Sequence, residues 1–225
     1  MAKENLQQQS AANLEETLSK NEAWFLKNKK MIVGCVCAVI VIVAAAVMYH
    51  NFVSVPGQEK ASTELAKAQQ LFAQQQYEKA LKGDSTGVAG FEKIAKEHSG
   101  TDAGNLAKLY AGLCNASLNK WEDAVKYLED FTAQDDQMIS PAAISALGNA
   151  YAHLNQLDKA VTTLKKAAEK ADNNSLSPTF LVQAGEILEN QGKNEEALKC
   201  YQQVKDKYFN SMAYQTIDAY IERVK

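Results

Sequence analysis

Three histidines, His50, His98 and His153, are the side chains best suited to metal binding or proton transfer, and none has a partner at a useful spacing. Two ligands share a helix face in His-x-x-x-His or Glu-x-x-His, and neither pattern occurs. Gly83, Gly87 and Gly90 imitate a phosphate loop in composition. No strand pattern precedes them and no Lys-Ser/Thr follows, so a turn between helices is expected. Asp135-Asp136 and Glu195-Glu196 are sequence neighbours whose side chains diverge. They suit the positive end of a helix dipole better than a shared acid–base site. Cys35 and Cys37 lie in an apolar run, while Cys114 and Cys200 are 86 residues apart. This scatter makes neither a zinc site nor a disulfide framework, and a Cys114–Cys200 bridge would join repeats two steps apart, which rarely touch. No catalytic residue, metal or cofactor is expected, and the chain reads as a non-enzyme.

Charge narrows the classes further. Residues 1–30 carry five Lys against four Glu, and the remainder carries 19 basic against 23 acidic residues, so neither part has the basic excess of a nucleic-acid binder. Residues 31–55 contain no Lys, Arg, Asp or Glu. The run from Met31 to Tyr49 is apolar apart from Gly34, and as a helix it would reach roughly 28 Å, the thickness of a bilayer core. It lacks the polar stripe of a soluble core helix. It is longer than a signal-peptide core and lies behind a 30-residue polar segment, which argues against cleavage near Ala44-Ala45-Ala46. Cys35 stands at the wrong end of the run for a lipoprotein site. Lys20, Lys27, Lys29 and Lys30 precede the run and only Lys60 closely follows it, so residues 1–30 are expected in the cytoplasm and residues 56–225 outside it. Trp24, Phe25, Tyr49 and Phe52 are candidate interfacial anchors.

Beyond Pro56-Gly57, a pair that should break the helix, the chain reads as helix throughout, over about 58–82, 86–97, 102–118, 121–132, 141–154, 157–171, 178–190, 194–208 and 211–224. Ser140-Pro141 and Ser177-Pro178 each look like a capping hydroxyl followed by proline at the first helical position. Gly112, Gly148 and Gly185 recur at intervals of 36 and 37, each followed twelve residues later by alanine: Ala124, Ala160 and Ala197. Four residues after each alanine stands a large side chain, Leu128, Leu164 or Tyr201. Small residues let paired helices approach, and large ones fill the gap to the neighbour. A single hairpin cannot bury its own apolar face, so such units must stack.

Gly, then twelve residues, then Ala, with flanking large residues, resembles the tetratricopeptide repeat over residues 105–209. A degenerate copy precedes it around Phe72, Tyr77-Glu78-Lys79-Ala80-Leu81 and Phe91, and residues 211–224 look like a capping helix. Asn115, where Tyr151 and Leu188 occur, and Asn194, in place of a large residue, depart from the pattern. The fold class expected is therefore all-α: one transmembrane helix followed by an α-solenoid of helical hairpins with a C-terminal cap. The whole layout, with Ala-Trp-Phe-Leu-Lys-Asn-Lys-Lys (23–30) before the span, also resembles the YfgM-like family of ancillary SecYEG translocon subunits. That likeness implies a bacterial inner-membrane adaptor with a periplasmic repeat domain, linking the Sec translocon to periplasmic chaperones or clients. The alternative is a repeat scaffold for cell-envelope or division assemblies.

The repeat resemblance also implies that the first helix of each hairpin lines a partner-binding groove. In this sequence those positions are Leu106, Leu109 and Leu113 in the first copy, Asn149 and His153 in the second, and Val182, Glu186, Glu189 and Asn190 in the third. Such a groove would be apolar at one end and polar, partly acidic, at the other. The cations that grip C-terminal carboxylates in chaperone-binding members are missing from these positions, so a partner held by its terminus is not expected.

Overall fold

A computed structural model of the chain describes Trp24, residues 27–48 and residues 55–225. The expectations for residues 1–23 and for Phe25, Tyr49, His50 and Phe52 lie outside the described residues. The chain divides into two compact units, one up to Pro56 and one from Gly57 to Lys225. In the first, helix α1 (Lys27–Met48) runs for 22 residues, about 33 Å at the α-helical rise and enough to cross a bilayer. Val39, Ile40, Val41 and Ile42 are all exposed on it. Four consecutive apolar residues point around the whole circumference, so no rotation could hide them against a single protein face.

The second unit is built from helices α2 (Val55–Ala73), α3 (Tyr77–Lys82), α4 (Phe91–Glu97), α5 (Asp102–Ser117), α6 (Trp121–Glu129), α7 (Ile139–His153), α8 (Leu157–Ala171), α9 (Ser177–Asn190), α10 (Asn194–Lys207) and α11 (Ile217–Arg223), with a 3₁₀ turn at Ala213–Gln215. Among the described residues no strand forms, only an isolated bridge between Gly83 and Ala89. From α3 onward each helix packs on the next. The core follows the stack in three clusters: α2–α5 around Phe91, the α5–α7 junction around Leu128, and α7–α11 around Leu164, Leu188 and Tyr201.

The close helix approach expected at the glycines is present in all three copies, but the large residues, expected to fill the gap to the next hairpin, pack on the glycine of their own. A methyl group added at Gly112 would stand 2.5 Å from Leu128, one at Gly148 2.9 Å from Leu164, and one at Gly185 2.3 Å from the Tyr201 ring. Helix faces meet there with no room for a Cβ.

Each hairpin turns through the same device. Gln75, Asn119, Asn155 and Gly192 adopt left-handed φ values of 60°, 58°, 58° and 71°. After each, a backbone N–H reaches back across the helix end: Gln76 to Leu71, Lys120 to Asn115, Gln156 to Tyr151 and Lys193 to Leu188, all at 2.8–3.0 Å. These bonds satisfy carbonyls that the helix leaves unpaired. Gln75 marks α2–α3 as the start of another hairpin, 44 residues before Asn119 rather than 36 or 37. It is also the residue least suited to its conformation. Gln75→Gly should stabilise the domain by roughly 1 kcal/mol, the cost of a left-handed side-chain residue, measured as a raised midpoint in chemical unfolding.

Five expectations are corrected. The helix foreseen over 58–82 is two helices, parted at Gln74–Gln76, because the left-handed Gln75 turns the chain. Residues 86–90 are not helical. Asp84 accepts from the Thr86 and Val88 N–H groups at 2.9 and 3.1 Å and from the Thr86 hydroxyl, closing a loop that helix geometry would break. Pro56-Gly57 opens α2 rather than breaking a helix, since proline loses no hydrogen bond in a first turn. Ser140 and Ser177 do not cap their helices from outside. The helices start earlier, and both hydroxyls are buried: Ser140 accepts from Gln134 N–H at 2.8 Å, and Ser177 accepts from Asn173 N–H at 3.1 Å while donating to the Ala168 carbonyl. Asp136 and Asn173 take over the capping, accepting from N–H groups of Met138 and Ile139 and of Ser175 and Leu176. The terminal segment 211–224 is likewise a 3₁₀ turn followed by the short α11.

Candidate partner-binding surface

The residues singled out along the first helices of the hairpins meet different fates. Leu109 is buried in the α5–α7 cluster, and Leu113 packs half-buried against the same cluster. Asn149 and Glu186 are half-buried, and Asn190 is exposed. Val182 packs on the C-terminal cluster. His153 is exposed yet stacks flat on Trp121, with ring centroids 3.7 Å apart and planes 4° apart. Glu189 is committed within the chain: Arg223 donates to it through Nε at 2.5 Å and Nη2 at 2.7 Å, and the Tyr201 hydroxyl donates at 3.1 Å. That fork holds α11 onto α9, and the Arg223 guanidinium keeps the Glu189 carboxyl below its ordinary pKa. The polar end of the expected groove is thus partly a strut for the terminal helix.

Leu106 lines a defined cleft. The cleft has a volume of about 280 Å³ and lies between the start of α5 and the start of α7. Leu106, Phe131 and Ile139 give it an apolar lining, and Asp102, Asn105, Gln134, Asp136 and Ser140 complete the wall. Ile139 and its neighbour Met138 are 49% and 57% exposed, so this wall is open rather than packed.

Its geometry is fixed from the α6–α7 loop. Asn105 on α5 pairs twice with Thr132, donating to its carbonyl and accepting from its N–H, each at 2.8 Å. Ser140 holds Gln134, and Asp136 gathers the N–H groups that open α7. Burial alone would raise the Asp136 pKa, but the Ser140 hydroxyl and the Met138, Ser140 and Ile139 N–H groups override it and bring the value from 3.8 to about 2. A depressed folded-state value means the stabilisation is complete above pH ~4 and fades as pH falls through about 2. The stability gap between the native chain and an Asp136→Asn variant should therefore be constant at neutral pH and shrink in acid between those limits. Circular dichroism unfolding curves at stepped pH would measure it.

Most of this cleft was hidden from sequence reasoning, because Asn105, Phe131, Gln134 and Asp136 meet only when the loop closes. Phe131 and Met138-Ile139 were the available signal: large apolar residues in or beside a connection rich in polar ones.

Elsewhere, Cys114 and Cys200 are buried, unbonded, and in separate clusters. Burial pushes the Cys114 thiol up to about 12, so it behaves as an apolar side chain. Among the described residues no group of His, Cys, Asp or Glu is arranged to hold a metal ion.

Stacked helical hairpins with glycine–leucine contacts and a side-chain cleft between first helices define a helical-repeat protein. The tetratricopeptide repeat-like domain family matches residues 22–224, and the chain belongs to that family. It is 28% identical over 195 residues to an ancillary SecYEG translocon subunit of Aggregatibacter actinomycetemcomitans, an alignment covering 85% of this chain and 88% of that protein. Among solved structures, the nearly identical TPR-like repeats of a putative kinesin light chain from Podosopora anserina superpose with a TM-score of 0.56. The superposition covers 74% of this chain and 85% of that one at 13% identity; a second structure of the same repeats gives the same score and covers 86% of its chain. These neighbours bear on the fold alone.

Proposed function

We propose that the protein is a membrane-anchored, non-enzymatic adaptor that docks on the Sec translocon and presents its repeats to other proteins at the outer face of the inner membrane. The observation that carries this reading is the likeness to a translocon subunit over 85% of this chain and 88% of that protein. In this reading residues 1–30 stay in the cytoplasm, residues 31–55 cross the bilayer and residues 56–225 lie in the periplasm. The lysines at Lys20, Lys27, Lys29 and Lys30 support that orientation, since cationic flanks are retained on the cytoplasmic side. Periplasmic chaperones or clients would then be within reach of the repeats.

The test is to tag the full chain at its N-terminus, solubilise native membranes in mild detergent and identify what co-purifies. Translocon core subunits in amounts comparable to the tagged chain are expected, and a preparation without them contradicts the reading. Protease added to spheroplasts should remove residues 56–225 and spare the N-terminal tag; a protected repeat domain would reverse the orientation.

A further inference from the structure

We infer that the α5–α7 cleft receives a partner segment in which a large apolar side chain stands beside a lysine or arginine; the inference rests on the adaptor reading above. Two features specify that occupant. Leu106, Phe131 and Ile139 offer an open apolar lining, which favours removing one large side chain from water. The charged groups in the wall, Asp102 and Asp136, are both acidic. Asp136 stays ionised across the physiological range because the Ser140 hydroxyl and the Met138, Ser140 and Ile139 N–H groups hold its carboxylate. Asp102 sits exposed in the first turn of α5, with a long 3.4 Å bond from Gln58 that leaves the rest of its carboxylate to solvent.

Two lysines whose partners adjoin the lining residues in sequence are already paired. Lys108 is held by the Asp130 carboxylate at 3.2 Å and its carbonyl at 3.0 Å, and Lys170 lies 3.8 Å from Asp135. The cleft therefore presents a negative rim around an apolar floor. A cationic neighbour would complement it, and an acidic one would be repelled. The fixed Asn105–Thr132 pairing means that the walls need not be ordered at the moment of binding.

The test displays a random peptide library to the full chain in nanodiscs of zwitterionic lipid, with empty nanodiscs and an Ile139→Asp chain as counter-selections. Sequences specific to the native chain should pair a large apolar residue with Lys or Arg. Asp102→Asn should weaken the best of them about tenfold, the loss of one charged contact, and raising the salt should weaken it further. Thermal unfolding of both variants checks that the domain remains folded. Asp136 is left intact because it caps α7. Enrichment of acidic or charge-free segments, equal recovery on the Ile139→Asp chain, or no enrichment would each overturn the inference. If the translocon still co-purifies in that case, the adaptor reading stands and this occupant is wrong; if it does not, both fall.

Discussion

Phe91→Ala should destabilise the N-terminal hairpin by about 4 kcal/mol, within the range for emptying a buried phenylalanine site. Phe91 is fully buried. Its ring stacks on Tyr110 of α5 at 5.0 Å and meets Phe72 of α2 edge-on at 6.4 Å. It thereby joins three helices that the inserted loop at residues 83–90 would otherwise leave loosely connected. In a stack, each hairpin is stabilised mainly by its neighbours, so damage at one end stays local. Hydrogen exchange should accelerate in α2–α4 and remain unchanged in α8–α10. Uniform acceleration along the domain would mean that the repeats unfold as one unit.

Gly185→Ala should cost a net of about 2 kcal/mol, taking overpacking at ~3 against a gain of ~1 from the better helix propensity of alanine. The added methyl would stand 2.3 Å from a Tyr201 ring that cannot retreat. That ring is fully buried, lies 5.3 Å from the ring of Tyr220, and has its hydroxyl tied to Glu189. Gly148→Ala is the internal control. There the obstacle is Leu164 at 2.9 Å, a smaller overlap with a more adaptable side chain, and the two terms should nearly cancel. Equal losses at both glycines, measured by denaturant unfolding, would show that the closeness of the contact does not set the cost.

That graded fit is also where the sequence was most legible. Gly112, Gly148 and Gly185 marked the close helix contacts from spacing alone, but Leu128, Leu164 and Tyr201, expected to fill the gap to the next hairpin, meet the glycine of their own. Boundaries were less legible wherever a side chain satisfied backbone groups from a distance. Asp136 and Asn173 start their helices from the preceding loop, so Ser140-Pro141 and Ser177-Pro178, which have the composition of caps, sit inside. Gln75 gave no warning of a left-handed turn, being neither glycine nor asparagine. The binding surface was the least legible part. Whether Glu189 is free or bound depends on Arg223, 34 residues away, and the cleft beside Leu106 depends on a loop whose closure no periodicity records.

The most direct measurement of the central claim, a membrane-tethered stack of hairpins that binds other proteins through its α5–α7 cleft, is residue-specific photo-crosslinking in native membranes. A photoreactive residue in place of Met138, exposed beside Ile139 of the cleft wall, should form an adduct with a partner protein. The same residue in place of Gln202, exposed on α10, should not. Adducts of equal yield from both positions, or adducts from neither, would contradict the account.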